Sequence, residues 1–376
     1  MLQETENSFS VEMLVGQMES ALAAEQKHVS RDKNIMLRRF RKYYEYAYRD
    51  GIIGPSRYRH YTAFYRKMLR FMTLSGTENM PVEEFSDEVL MLLRHFLFDE
   101  YRFVGSAPSL YSGLNPREIP LRRRNGNTVA SEMKMLGAFF TELEDRDEIQ
   151  KSPFRKMGTE RRKAAMQMQY DEPYSLNEEE FERLLNTDLP EDLLPTRAAF
   201  VLQCFLGCRI GDFRRLSMEN VAVSSEGIPY VHYLPQKTVK VSNNREEIKT
   251  PLVKCAYDIV QQTGFDLPVV RYCSGSSGYN CKIRRLLAEA GINRLVSIYD
   301  STLQRMVYRP LCEVAGSKLC RKTFVDRMVK VQVNLYASGL HKAGSKAVEH
   351  YTRMELQDRF KLMCVAFGQQ EYRIHP

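Results

Sequence analysis

Apolar residues recur three and four positions apart along most of this chain, the spacing of helices that bury one face. Met13, Leu14, Met18 and Leu22 share one side of a first segment that Ser10 can cap ahead of Val11. A second helix is expected from Asp32 to Tyr48, stopped by Gly51 and the Gly54-Pro55 pair, and a third from Tyr58 to Leu74, ending near Gly76. Val82–Phe98 follows, opening on acidic residues and turning Val89, Leu90, Leu93 and Phe96 inward. Gly105–Asn127 is rich in Gly, Pro, Ser and Arg and reads as a long loop. Thr128 then opens a helix with Met133, Leu136, Phe139, Phe140 and Leu143 at helical spacing. Residues 56–155 thus predict a bundle of about four helices.

A basic, Met-rich stretch, 156–173, separates this bundle from a second region, 174–376. That region opens on Ser175-Leu-Asn-Glu178, which reads as a capping box ahead of Phe181, Leu184 and Leu185. From Thr196 to about Arg209 the chain is apolar on most sides, so this helix is expected to be buried. Ile228–Leu234 and Glu247–Leu252 flank a polar turn at Ser242–Arg245 and form the only clear strand signal. Helices resume at Val253–Thr263 and Tyr279–Glu289, and a last apolar periodicity runs through Leu356, Phe360, Met363, Val365 and Phe367. The fold class is mainly α with one small β-hairpin sheet.

Composition narrows the functional classes. The 376 residues give room for two or three domains, and 43% hydrophobic with 27% charged residues is ordinary for a globular protein. No apolar run approaches the roughly eighteen residues of a membrane span. The acidic start Met1-Leu-Gln-Glu-Thr-Glu lacks the pattern of a signal peptide, so a cytoplasmic protein is expected. Eight scattered cysteines and seven histidines fall in no metal-ligand spacing, so packing thiols and no metal are expected.

The charge distribution says more than the net value of +8. Between Arg31 and Arg70 stand twelve basic and three acidic residues, interleaved with tyrosines. Arg57, Arg59, Arg66 and Lys67 lie in this run; Arg122, Arg123 and Arg124 form a second basic cluster, and Arg161, Arg162 and Lys163 a third. Such residues suit contact with nucleic-acid phosphates, although most charge runs are solvated helix faces.

Four motifs carry candidate chemistry. Gly207-Cys-Arg209-Ile-Gly-Asp212 puts a guanidinium at the mouth of the buried helix, where Asp212 can hold it, an arrangement that also suits a turn fixed by a plain ion pair. Lys237 precedes Thr238 in the hairpin. Lys318 and Arg321, three apart at the start of a helix, face one side, with Thr323 and Phe324 following. Tyr351 comes thirty residues after Arg321.

In this order and spacing the motifs resemble those of the tyrosine recombinases, or phage-type integrases, especially the integrases of Bacteroides-type mobile elements. The resemblance covers about 170–355 firmly and 56–155, as a helical core-binding (SAM-like) domain, more weakly. It implies a mostly helical catalytic domain over 174–376 and leaves 1–55 as either a helical extension or an arm-type DNA-binding region. It also implies a site-specific DNA recombinase acting through a covalent 3′-phosphotyrosyl intermediate, with Tyr351 as nucleophile. Arg209, Lys318 and Arg321 would hold the phosphate, Lys237 would protonate the departing 5′ oxygen, and Asp212 would orient Arg209.

Two positions depart from the family pattern. Lys318 stands where many members carry His. Nine residues before the nucleophile, where His or Trp is usual, this chain has Lys342, with His341 one residue earlier. Either Lys342 fills that place or His341 substitutes for it. Tyr336 competes with Tyr351 but lies only fifteen residues after Arg321. The resemblance implies no cofactor. The implied partners are double-stranded DNA at specific sites and further copies of the chain, tetrameric on DNA and monomeric or weakly associated when free, at the bacterial nucleoid. Two other readings share these residues: a type IB topoisomerase-like enzyme, and a DNA-binding regulator on a weakened recombinase fold. The last helix would dock on a neighbouring subunit or pack on its own domain.

Overall fold

Met36, Leu37, Phe40, Tyr44 and Ala47, spaced one helical turn apart, are the buried residues of α1 (Met36–Arg49). The computed structural model describes residues 35–116, 118–236, 247–271, 275–300, 303, 305–332 and 355–374. The helix expected at Val11–Leu22 lies outside them. The chain divides into two units, 1–170 with 299–306 and 171–298 with 307–376.

In the first unit α1 packs on α2 (Pro55–Leu74), where proline at the first helical position lacks only an N–H that the helix would leave unbonded. Phe40 is the hub of this contact, with Tyr61, Phe64 and Phe139 ring centroids 5.9, 5.6 and 5.3 Å away. The expected Val82 helix begins later: Val82–Glu84 is a single 3₁₀ turn, and α3 (Asp87–Asp99) starts where Ser86 accepts from the Val89 N–H. Asn125 likewise caps α4 (Gly126–Asp145), two residues ahead of the expected start. The basic stretch after it holds two short helices, α5 (Pro153–Lys156) and α6 (Thr159–Met166).

The second unit opens on α7 (Glu178–Asn186), and its cap differs from the expected Ser175–Glu178 box. Asn177 accepts from the Glu180 N–H and Glu180 reaches back to the Asn177 N–H, at 2.8 and 2.9 Å. The helix starts late because Leu176 is fully buried and its N–H donates to Thr323 Oγ1, while the Ser175 hydroxyl donates to Asp326. Next comes α8 (Leu194–Leu206), the buried centre of the unit, ended by Gly207 in the left-handed conformation, and then the single turn α9 (Ile210–Phe213).

The expected hairpin is present as β2 (Pro229–Tyr233) and β3 (Ile248–Pro251), antiparallel with Tyr233 opposite Ile248. A short β1 (Val221–Val223) adds a third strand. After α10 (Lys254–Thr263), α11 (Pro268–Arg271) and α12 (Gly275–Glu289) comes a two-stranded sheet, β4 (Leu295–Asp300) with β5 (Arg305–Pro310). This corrects the expectation of a single strand signal. No residue of β5 is fully buried, so its sequence has no alternating apolar face to read.

The chain continues through α13 (Leu311–Val314) to α14 (Lys318–Gln332). α14 packs on α8 and on the last helix, α15 (Leu356–Ala366). Phe360 and Met363 of α15 are fully buried in the core of its own unit, so this helix packs on its own domain. The tail beyond it is tied down as well, with Tyr372 Oη donating to the Leu252 carbonyl and the Ile374 N–H to that of Gly227. No helix among the described residues is long and apolar enough to cross a membrane.

Candidate active site

The site is built where α14 lands on the end of α8. Gly207 has φ +58°, a conformation other residues adopt only at a cost, and a Cβ added there would lie 2.4 Å from Phe324 Cδ1. Glycine lets the Phe324 ring rest on the backbone at this point. One turn earlier on α14, Arg321 Nη1 donates to the Gly207 carbonyl at 3.0 Å, which fixes the guanidinium over the helix end. Behind it, Cys320 and Thr323 are fully buried, and Arg327 donates to the carbonyls of Ala366 and Asn177. The helix carrying Lys318 and Arg321 is therefore held on three sides, by α8, by the strand-like entry to α7 and by α15.

Arg209 follows Gly207 by two residues and stands in extended conformation ahead of α9. Asp212, only 4% exposed, does not hold it. The carboxylate accepts from Arg215 Nη2 at 2.9 Å and from the Gln236 N–H at 3.1 Å. Asp212 thereby ties the Arg209 turn to the end of the segment leaving β2, at the residue next to Lys237. Among the described residues Arg209 and Lys318 make no ion pair or side-chain hydrogen bond, and Arg209 is half-buried while Lys318 is exposed.

Arg209, Lys318 and Arg321 line a single cleft of about 860 Å³, together with Lys322, Cys208, Tyr174 and the apolar Val325 and Val329. Sequence reasoning passed over Lys322. Its ammonium lies 3.5 Å from the centre of the Tyr174 ring; burial pulls its pKa below the usual lysine value and the neighbouring Lys318 lowers it further, against Asp171. Tyr233 was also passed over. Burial, then Cys208 and Asp212, push its phenol well up, while Arg321 and Arg209 pull the other way, so the ring sits within the field of both guanidinia. The alternation of β2, with Pro229, Val231 and Tyr233 inward, was the one signal that could have found it. Lys237, His341, Lys342, Tyr351 and its competitor Tyr336 lie outside the described residues.

The basic residues of the first unit separate into two sets. Lys67 pairs with Glu132, Arg124 and Arg70 share the fully buried Glu100, and Arg66 pairs with Glu118 at 3.0 Å. Arg123 stands 3.9 Å from Asp99 and over the Phe98 ring, and Arg57 stacks on Tyr61. Arg161 is 3.9 Å from Asp87 and Lys163 is 2.9 Å from Glu160. Arg59, Arg122 and Arg162 have no ion pair or side-chain hydrogen bond among the described residues.

No family model and no curated protein matches the chain. Solved structures similar to it include integrases. The Tn1549 transposon integrase (residues 82–397) in complex with circular intermediate DNA is 14% identical, with 87% of this chain and 98% of that one covered at a TM-score of 0.49. A lambda integrase dimer bound to a COC′ core site is 14% identical over 97% of this chain and 88% of that one, with a TM-score of 0.46. The integrase of mycobacterium phage Brujita is 13% identical over 87% and 92%, with a TM-score of 0.32.

Proposed function

We propose that the chain is a site-specific DNA recombinase of the tyrosine type, cutting and rejoining duplex DNA through a covalent phosphotyrosyl intermediate. The observation that carries this reading is the meeting of Arg209, Arg321 and Lys318 in one open cleft, from three sequence positions that the tyrosine-recombinase pattern pairs with a following tyrosine. A phosphodiester bound there would have its non-bridging oxygens facing two guanidinium forks. These supply fixed, always-charged donors as the transition state gathers negative charge.

Tyr351 is the proposed nucleophile, on its position in the sequence. Its phenolic oxygen forms a bond to phosphorus as the bond from phosphorus to the 5′ oxygen breaks, leaving a 3′-phosphotyrosine. The phenol's proton is lost, and Lys237 returns one to the departing 5′ oxygen. Lysine suits this task where neighbouring cations lower its pKa, and the cleft holds Arg209, Arg321 and Lys318. The phosphotyrosyl ester retains the energy of the broken bond, so a 5′-hydroxyl from a second strand can reverse the step and exchange partners. Lys342, or His341 in its place, would add a donor to the phosphate. Four copies of the chain on two paired sites complete the exchange.

The test uses suicide duplexes, nicked beside the cleavage position so that the 5′-hydroxyl fragment diffuses away, made from sites the full chain selects out of a random-sequence pool. An adduct that survives SDS is the expected result. DNA binding without any adduct would overturn the reading.

A further inference from the structure

The loop from Glu118 to Asn125 in the first unit is clamped at both ends. Glu118 accepts from Arg66 Nη1 with both carboxylate oxygens, at 3.0 and 3.2 Å. At the other end the Arg124 N–H donates to the Phe98 carbonyl at 3.0 Å, and the Arg124 guanidinium is engaged by Glu100 and the Leu97 carbonyl. Arg123 is held too, over Phe98. What the clamps leave facing outward is Leu121 and Arg122. Leu121 is 85% exposed, the most exposed large apolar side chain among the described residues.

A single exposed leucine on a mobile tip would need no account. Here the backbone is fixed on either side, Pro120 stiffens the approach, and the surroundings are cationic. A groove of about 450 Å³ between the loop and α2 is lined by Arg66, Lys67, Arg70, Arg122, Arg123 and Arg124; Glu118, Glu132, Glu100 and Asp99 pair with or stand near five of these, which leaves a net excess of positive charge with Arg122 on its outer side. An apolar tip rigidly presented amid cations is the chemistry that suits a nucleic-acid groove, where sugars and base edges are apolar and phosphates flank them.

We propose that this loop reads duplex DNA: Leu121 packs into a groove against sugars or a base step, and Arg122 holds a flanking phosphate. The inference rests on the DNA-recombinase reading and adds to it a sequence-discriminating contact away from the chemistry.

The full chain is titrated with a duplex that it selects from a random-sequence pool and with an unselected duplex of equal length, over a range of KCl concentrations. Leu121→Ala is expected to weaken binding to the selected duplex about tenfold, with the unselected duplex and the salt slope unchanged. Arg122→Ala is expected to weaken both and to lower the slope by about one phosphate contact. Both side chains are exposed, so melting temperatures should match the wild type. Covalent adduct formation by the wild type is measured on the same selected duplex. If the adduct forms and Leu121→Ala discriminates as well as the wild type, this inference falls and the reading of the active site stands. If the wild type neither discriminates nor forms an adduct, both fall.

Discussion

Arg321 donates to the carbonyl of Gly207, the residue whose left-handed turn ends α8 and delivers Arg209 into the cleft. The two arginines proposed to hold one phosphate are therefore positioned by a single backbone unit. Substituting that glycine should disturb both. Gly207→Ala places a Cβ against Phe324 in a conformation unfavourable for alanine, and is expected to cost about 2–4 kcal/mol of stability. Denaturant unfolding measures the loss. Adduct formation, followed where the variant is still folded, should fall more than the folded fraction does.

Asp212 gives a second prediction. Its carboxylate holds Arg215 and the Gln236 N–H, so Asp212→Ala, which leaves the Gln236 N–H without this acceptor, is expected to lose about 1–3 kcal/mol. Because Gln236 precedes Lys237, the strand-cleavage rate should drop further than for Arg215→Ala, which leaves the bond to Gln236 in place. Equal rates for the two variants would show that the carboxylate serves the turn alone.

The cations of the first unit should divide by function. Arg124→Ala removes one of the two guanidinia paired with the fully buried Glu100 and leaves Arg70, and is expected to destabilise by about 1–3 kcal/mol. Arg59→Ala, on an exposed side chain with no ion pair among the described residues, is expected to leave the melting temperature unchanged and to weaken DNA binding in a salt-dependent way. Thermal melting and binding titrations on the two variants check both arms.

Lys322 offers a pH test. Burial and Lys318 lower its pKa and Asp171 raises it. Lys318→Met removes a like charge, so the Lys322 pKa should rise; Asp171→Asn removes an opposite charge, so it should fall. The sign for folding follows: below the lowered pKa both states are protonated and the penalty is present, and it is relieved as pH rises from there toward the ordinary lysine value. The shift of the Lys322 Cε carbon with pH reports the titration directly.

Much of this architecture was legible in the residues. The helical periodicities located α1, α2, α4, α8 and α15, because each buries one face or all of its surface against a core. Helix starts were misplaced where a cap competed with another: Ser175 looks like a cap, yet its hydroxyl goes to Asp326 and Asn177 takes the role. β5 escaped because its side chains are mostly exposed, and a strand without a buried face has no period to show. At the site, Arg209, Lys318 and Arg321 could be picked out because motif spacing marks them. Lys322 could not, since its environment comes from Tyr174 and Asp171, which only folding brings near. The same holds for Asp212, whose partner is a backbone N–H more than twenty residues away in sequence.

The most direct test of the central claim is to identify the residue bonded to DNA. The full chain is trapped on a suicide duplex, digested with protease and nuclease, and the nucleotide-bearing peptide is sequenced by mass spectrometry. The account requires a phosphate ester on Tyr351, linked to the 3′ end of the cut strand, absent from Tyr351→Phe and reduced about a hundredfold or more by Arg321→Ala. A nucleotide on Tyr336 or any other residue, or an adduct that persists in Tyr351→Phe, would contradict it.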